Sequence, residues 1–175
     1  MSTINLQPNS DKESVLNEVE KDIGNLSLEI AEEDRARPWG GFFVIANESI
    51  GRFIQEFFPD IDKEQITKYG ETLSPKILVV APHQELSWQY HNRRAELWCV
   101  IDGPVGIIVN DNDEQTDVQS LNSGEIVEHG NMVRHRLVGL ENWGILAEIW
   151  QHTDPENPSD EDDIIRLQDN YGRES

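Results

Sequence analysis

The chain of 175 residues has one cysteine, Cys99, so it cannot close an intramolecular disulfide. A single thiol in an apolar run fits a reducing compartment. No run of apolar residues is long enough to span a bilayer, and the N-terminus MSTINLQPNSDKESV lacks the basic and apolar regions of a signal peptide. A soluble cytoplasmic protein with no membrane partner is the expectation. Basic residues are scarce: 14 Lys and Arg stand against 34 Asp and Glu, a formal charge of −20. A field of that sign repels polyanions and argues against nucleic-acid or anionic-membrane binding. It leaves room for a small anion held by a local basic cluster.

What is present divides the chain in two. Residues 1–36 read as an acidic arm, helical or partly disordered. Ser10 and Glu13 have capping-box spacing, and Val15, Leu16, Val19, Ile23 and Leu26 recur at helical spacing. That apolar stripe needs a partner, either the domain body or a second subunit. From Arg37 to the end the pattern predicts one domain of short strands. PKILVVAP suits a buried strand, and ELWCVIDGPVGIIVND reads as two strands joined at Asp102–Pro104. VQSLNSGEIVEHG, MVRHRLVGLEN and WGILAEIWQH follow as further strands. The aromatic run RFIQEFF is a helical turn or a packed loop. Such regular strand spacing predicts an all-β sandwich or barrel. After His152 the chain turns polar, and Ser159 with Asp162 predicts a short C-terminal helix carrying Ile164, Ile165 and Leu167.

One stretch, LSWQYHNRRAELWCVIDG, packs polar groups into this strand-rich region. Residues two apart on a strand share a face, so Gln89 and His91 point the same way, opposite Trp88 and Tyr90. A hairpin-like return through Asn92–Ala95 would bring Glu96 beside them, with Trp98 and Val100 on the same face as a pocket floor. One imidazole nitrogen and two oxygens suit a divalent transition metal. A fourth ligand must come from another strand, and His135, mid-strand between apolar residues, is the best candidate. The bland alternative is that such histidines are hydrogen-bonded parts of the structure. His83, His129 and His152 read as loop or strand-end residues.

Several motifs together resemble a known family. HNRRAELW, a following glycine, a distal GE, HRL and EIWQ resemble the cupin superfamily of small barrels, the double-stranded β-helix or jelly roll. More closely, RPWG (Arg37–Gly40), KILVVAPHQELSWQYHNRRAELWCVIDG and EDDIIRLQDNYGR (Glu161–Arg173) resemble the cupin domain of type II mannose-6-phosphate isomerases. That domain is often fused to mannose-1-phosphate guanylyltransferase. Only the acidic arm precedes Arg37, so nucleotidyl transfer is not expected.

The resemblance implies a metal held by Gln89, His91, Glu96 and His135, the quartet reached from the residues. Zinc is the first choice, with manganese, iron, cobalt or nickel open. One departure stands out. The family's second motif has a proline, then a glycine three residues before its histidine; here the segment is EHGNMVRHRL. A different turn into His135 is expected, with Asn131 in the left-handed conformation.

The implied activity is aldose–ketose isomerisation of a sugar phosphate, most directly mannose 6-phosphate and fructose 6-phosphate. It requires a base to move a proton between adjacent carbons, a Lewis acid beside the enediolate oxygen and cations for the phosphate. Glu148, mid-strand in AEIWQ, is the expected base, because burial would raise its pKa into a useful range. Asp162 and Asp163 are read as caps that pin the last helix. Lys76 resembles a family lysine that binds phosphate or assists proton transfer. Arg94, Arg136 and Arg166 are the expected phosphate ligands, and Arg37 closes the pocket. The alternatives are a sugar-phosphate or nucleotide-sugar binding cupin without turnover and another metal-dependent cupin enzyme. A homodimer is expected, with the helical stripe and RFIQEFF as contact surfaces.

Overall fold

Alternation along the strands builds a barrel with two distinct apolar layers. The computed structural model describes residues 7–173; the expectations for 1–6 and 174–175 lie outside them. Within the described residues the elements are α1 (Lys12–Asn25), β1 (Ile30–Asp34), β2 (Gly40–Ile45), α2 (Ile50–Phe57), α3 (Lys63–Ile66), β3 (Leu73–Val80), β4 (Trp88–His91), β5 (Arg94–Asp102), β6 (Val105–Asn110), β7 (Gln119–Leu121), β8 (Ile126–His129), β9 (Arg134–Gly139), β10 (Gly144–His152) and β11 (Ile164–Gln168). The strands form a six-stranded sheet, β1-β2-β3-β10-β5-β8, and a five-stranded sheet, β11-β4-β9-β6-β7. Each strand pairing is antiparallel.

Successive residues of β10 show how the layers arise. Ile145, Ala147 and Ile149 face the helices, while Leu146, Glu148 and Trp150 face the barrel interior. The outer layer joins Phe43, Ile77, Val79, Leu97 and Cys99 to the helices. The inner layer joins Phe42, Leu78, Val80, Trp98 and Val100 to Val105, Ile107 and Leu137 of the other sheet.

The N-terminal stripe is covered by the domain body. Val15, Leu16, Val19 and Ile23 of α1 are buried in the outer layer, and β1 adds an edge strand to β2. Residues set apart at 1–36 by composition thus pack into the same body from α1 onward. The helix is capped by Asp11, whose side chain accepts from the Ser14 backbone N–H, and not by Ser10. Ser10 is held in the preceding turn by Gln7, and its carbonyl accepts from Trp143 Nε1. RFIQEFF forms α2, and its Phe53, Phe57 and Phe58 are also buried in the outer layer. Both surfaces expected to support a dimer are spent inside the fold.

Ile23→Ala should therefore cost about 2–5 kcal/mol, the range for truncating a buried aliphatic side chain. A urea midpoint unchanged by that substitution would mean that α1 is not part of the cooperative core.

The C-terminal helix is corrected. Glu161–Asp163 makes a single 3-10 turn, and Ile164, Ile165 and Leu167 lie on β11, paired with β4. Asp160 takes the capping role, accepting from the Asp162 N–H. The β-branched pair Ile164–Ile165 suits a strand better than a helix. RPWG has a backbone reason for its glycine. Gly40 sits at φ +149°, and a Cβ there would lie 1.9 Å from the Val79 carbonyl oxygen. No helix among the described residues is long and apolar enough to cross a membrane.

Candidate metal centre and pocket

β4 and β5 follow one another in sequence but belong to opposite sheets. The return expected as a hairpin is a crossing between layers, and the intervening turn is shorter than expected because Arg94 and Ala95 already lie on β5. Glu96 therefore meets His91 across the barrel interior and not along a ladder. His135 comes from β9, where it is the register partner of Gln89.

Three residues bring two ring nitrogens and the two oxygens of one carboxylate into a tight triangle of side chains. His91 Nε2 lies 3.2 Å from His135 Nε2 and 3.2 Å from Glu96 Oε1, and His135 Nε2 lies 3.3 Å from Glu96 Oε2. An ion bonded to each ligand at about 2.0–2.1 Å sets tetrahedral ligands about 3.3 Å apart. The tautomers agree with this. His91 Nδ1 is 3.3 Å from the Asp163 carbonyl, and His135 Nδ1 is 3.0 Å from the Val133 carbonyl. A carbonyl accepts, so each Nδ1 carries the proton and each Nε2 presents a lone pair. Two lone pairs and a carboxylate aimed at one point fit a cation.

Gln89 stands beside the triangle, half-buried, with Nε2 3.5 Å from His91 Nε2 and Oε1 accepting from the Ser87 hydroxyl. A half-turn of the amide would aim Oε1 at the histidines and leave Nε2 to donate to Ser87. The four residues expected to hold a metal are thus brought together, three of them converging directly.

The turn into His135 differs from the expectation in one residue. Met132, not Asn131, takes the left-handed conformation, at φ +66°. Its N–H donates to the His91 carbonyl at 2.8 Å, which ties the turn to the neighbouring ligand strand. The missing proline has not moved His135 out of the triangle.

Arg94 is a clamp. Its Nε donates to Glu96 Oε1 at 2.8 Å, Nη1 to Ser159 Oγ at 2.9 Å and to the Asp160 carbonyl at 3.1 Å, and Nη2 lies 3.2 Å from His91 Nε2. It is buried and stacks on Trp150 at 3.5 Å. Asp163 pins the same region from the other side. Its carboxylate accepts from the Asn92 and Arg93 backbone N–H groups at 3.2 and 2.9 Å and from Ser159 Oγ at 2.7 Å. Asp163→Ala strips these three bonds and should cost on the order of 3 kcal/mol, read as a shifted denaturation midpoint.

Beside the triangle, and bordered by its neighbours Gln89 and Arg94, lies a small pocket of about 60 Å³. Arg37, Lys76, Arg94, Arg166 and Arg173 line it, with Glu148, Glu161, Trp39, Phe42 and Trp150. Arg136 does not. Alternation on β9 turns it to the face opposite His135, where Nη1 pairs with Glu85 at 2.8 Å and Nη2 donates to the Gln168 carbonyl at 3.1 Å. Five of the six expected catalytic and phosphate-binding residues, Lys76, Glu148, Arg37, Arg94 and Arg166, line the pocket.

Sequence reasoning passed over three residues. His129 is buried, stacks parallel on His135 with centroids 5.1 Å apart, and has no partner at Nε2. Its place opposite Glu96 on β8 needs the strand register. Arg173 and Glu161 both lie within the quoted C-terminal motif, the only available signal for them.

Electrostatics separate the acids. Burial pushes Glu96 up, but His91, His135 and Arg94 outweigh it and hold the carboxyl well below the usual range. Glu148 is pushed up to about 8 by burial and by the nearby Glu96 charge, against Lys76, Arg94 and the Trp98 Nε1 bond of 3.1 Å. The same indole N–H lies 3.1 Å from Glu96 Oε2, so Trp98 bridges the two acids. Burial lowers His91 to about 4 and, helped by His135, lowers His129 to about 3.

These histidines are neutral in the folded, metal-free chain, while in an open chain they protonate near pH 6.5. The unfolded state then binds more protons as pH drops below that value, so stability is full above it and falls as pH moves down towards the folded values. Chelator-treated protein should lose on the order of 2 kcal/mol per histidine between pH 7 and pH 5. Urea midpoints that do not move over that interval would contradict a neutral, buried pair.

Two facing sheets with a histidine–carboxylate cluster inside define a cupin barrel. A variant of the Bacillus subtilis oxalate decarboxylase shares the fold at TM-score 0.55 and 13% identity, over 79% of this chain and 31% of that one. KdgF from Halomonas sp. does so at TM-score 0.50 and 11% identity, over 75% and 89%. Within that class, the family model described as mannose-6-phosphate isomerase C-terminal matches residues 54–169, and the chain belongs to this family. Among curated proteins, the mannose-1-phosphate guanylyltransferase ManC of Salmonella typhimurium is 31% identical over 104 residues, 59% of this chain and 20% of that protein. The mannose-1-phosphate guanylyltransferase of Salmonella montevideo is 32% identical over 105 residues, 60% and 21%. The chain spans about a fifth of the length of these curated relatives.

Proposed function

We propose that the pocket binds a hexose phosphate beside a divalent ion and interconverts its aldose and ketose forms through an enediolate, with mannose 6-phosphate and fructose 6-phosphate as the pair. The observation that carries this reading is the His91–Glu96–His135 cluster standing beside a pocket with a cationic rim, joined to it through Gln89 and Arg94, in a chain charged −20. The family match supports the choice of substrate.

Gln89, His91, Glu96 and His135 hold the ion, zinc being the first choice. When bound, the ion supplies positive charge beside the sugar oxygens that become anionic. Arg37, Arg166 and Arg173 hold the phosphate at the rim, where local cations overcome the overall field. Lys76 lies deeper, stacked on Trp150 at 3.5 Å and paired with Glu161 at 2.7 Å. Glu148 is protonated near neutral pH, which suits it to give a proton to the carbonyl oxygen and less to remove one from carbon. Arg94 holds Glu96 and His91 in place and lines the pocket.

Metal-loaded protein should convert mannose 6-phosphate into fructose 6-phosphate, and prior treatment with chelator should abolish the conversion. If fully loaded protein turns over no hexose or heptose phosphate, the isomerase reading fails and a binding module replaces it.

A further inference from the structure

We infer that Glu161 is the carboxylate that moves the substrate proton between the two carbons, with Lys76 as its charge partner; this rests on the isomerase reading above. A carboxylate that takes a proton from carbon must be ionised, must face the substrate and must be held still relative to the ion. Of the pocket acids outside the metal triangle, Glu148 and Glu161, only Glu161 meets all three conditions.

Its backbone is fixed to the metal centre. Glu161 opens the 3-10 turn that ends at Asp163, and Asp163 is bonded to the backbone at Asn92 and Arg93. The guanidinium of Arg94 that donates to Glu96 also donates to the carbonyl of Asp160, the residue before Glu161. One rigid group therefore spans the ligand carboxylate and the turn. The Asp163 carbonyl meets His91 Nδ1, which adds a second tie.

Its side chain is free to work. The Glu161 side chain lines the pocket and is 50% exposed, whereas Glu148 is 5% exposed and bonded to Trp98. Lys76 Nζ, 2.7 Å from Glu161 Oε1, supplies the counter-charge that keeps the carboxylate ionised, and Arg94 and Arg37 add to it. Lys76 is itself held between the rings of Trp150 and Phe42, at 3.5 and 5.0 Å.

The proton and electron balance closes. The C2–H bond of the aldose breaks, and its proton goes to Glu161. The electron pair forms the C1–C2 double bond and moves the carbonyl pair onto O1, which takes the proton of Glu148. In the second half the O2 hydroxyl returns a proton to Glu148, the C2 carbonyl forms, and Glu161 delivers its proton to C1. Two carboxyl groups in opposite protonation states divide the acid and base work.

The test compares wild-type, Glu161→Gln and Glu161→Asp proteins, each loaded with zinc. It follows conversion of mannose 6-phosphate, washout of deuterium from C2, and equilibrium binding of the sugar phosphate by calorimetry. Glu161→Gln should keep its zinc, bind mannose 6-phosphate no more weakly than wild type, and lose about 10²–10⁴-fold in kcat with a matching loss of washout. Glu161→Asp should recover part of kcat. A Glu161→Gln protein with kcat within about threefold of wild type, or one that loses binding in step with kcat, overturns the inference. Wild-type protein that is loaded and inactive removes the isomerase reading beneath it, a result distinct from active wild type with equally active Glu161→Gln.

Discussion

His91→Ala should bind a divalent ion more than about 100-fold more weakly than the unaltered chain and lose measurable isomerisation, while remaining folded. His91 Nε2 lies 3.2 Å from His135 Nε2 and 3.2 Å from Glu96 Oε1, one corner of the three-residue cluster. Removing a supporting residue around a metal costs about 10–100-fold in affinity, and removing a ligand costs more. Two features keep the fold. The ring gives up one long backbone contact, Nδ1 to the Asp163 carbonyl at 3.3 Å, and the β4 ladder to β11 runs through the main chain. Alanine leaves a cavity, so some stability is lost. The check is metal content after dialysis together with far-UV circular dichroism. Unchanged metal content with native spectra would refute the site.

Arg94→Met has the second largest effect, and its size depends on the metal. Arg94 is the fixed positive charge touching Glu96, and both are about 2% exposed. Taking away one partner of a buried ion pair leaves the other charge uncompensated, a loss of about 3–5 kcal/mol. Methionine fills similar volume over Trp150, so the loss reports charge more than packing. A bound divalent ion offers Glu96 a second counter-charge. The destabilisation should therefore be clearly smaller in zinc-loaded protein than in chelator-treated protein, while turnover of the zinc-loaded protein falls because Ser159 and Asp160 lose their tie. Equal losses with and without zinc would separate Arg94 from the metal centre.

Local alternation made much of this site legible. Residues two apart put Gln89 with His91, and Glu96 with Trp98 and Val100, and the structure places both sets inside the barrel. His135, mid-strand between apolar neighbours, followed from the same rule. Alternation also excludes Arg136 from the face of His135, so that expectation failed against a rule already in hand. What was not legible depends on contacts between strands distant in sequence. Sheet membership decides whether β4 and β5 form a hairpin or face each other, and only the pairing of β5 with β8 and β10 settles it. The same pairing brings His129 opposite Glu96. The C-terminal segment carries a start signal that fits either a helix or a single turn, and the empty edge of β4 draws Ile164 and Ile165 into a strand. Capping was misplaced by one residue because Ser10 and Asp11 are both competent caps, and the turn from Gln7 occupies Ser10.

The most direct test of the metal centre is anomalous diffraction from crystals of the full chain grown with zinc. The account predicts one strong peak per chain inside the barrel, about 2.0–2.2 Å from His91 Nε2, His135 Nε2 and a Glu96 oxygen, with the Gln89 amide oxygen turned towards it. A peak on surface carboxylates alone, or none between His91 and His135 at saturating zinc, would contradict it.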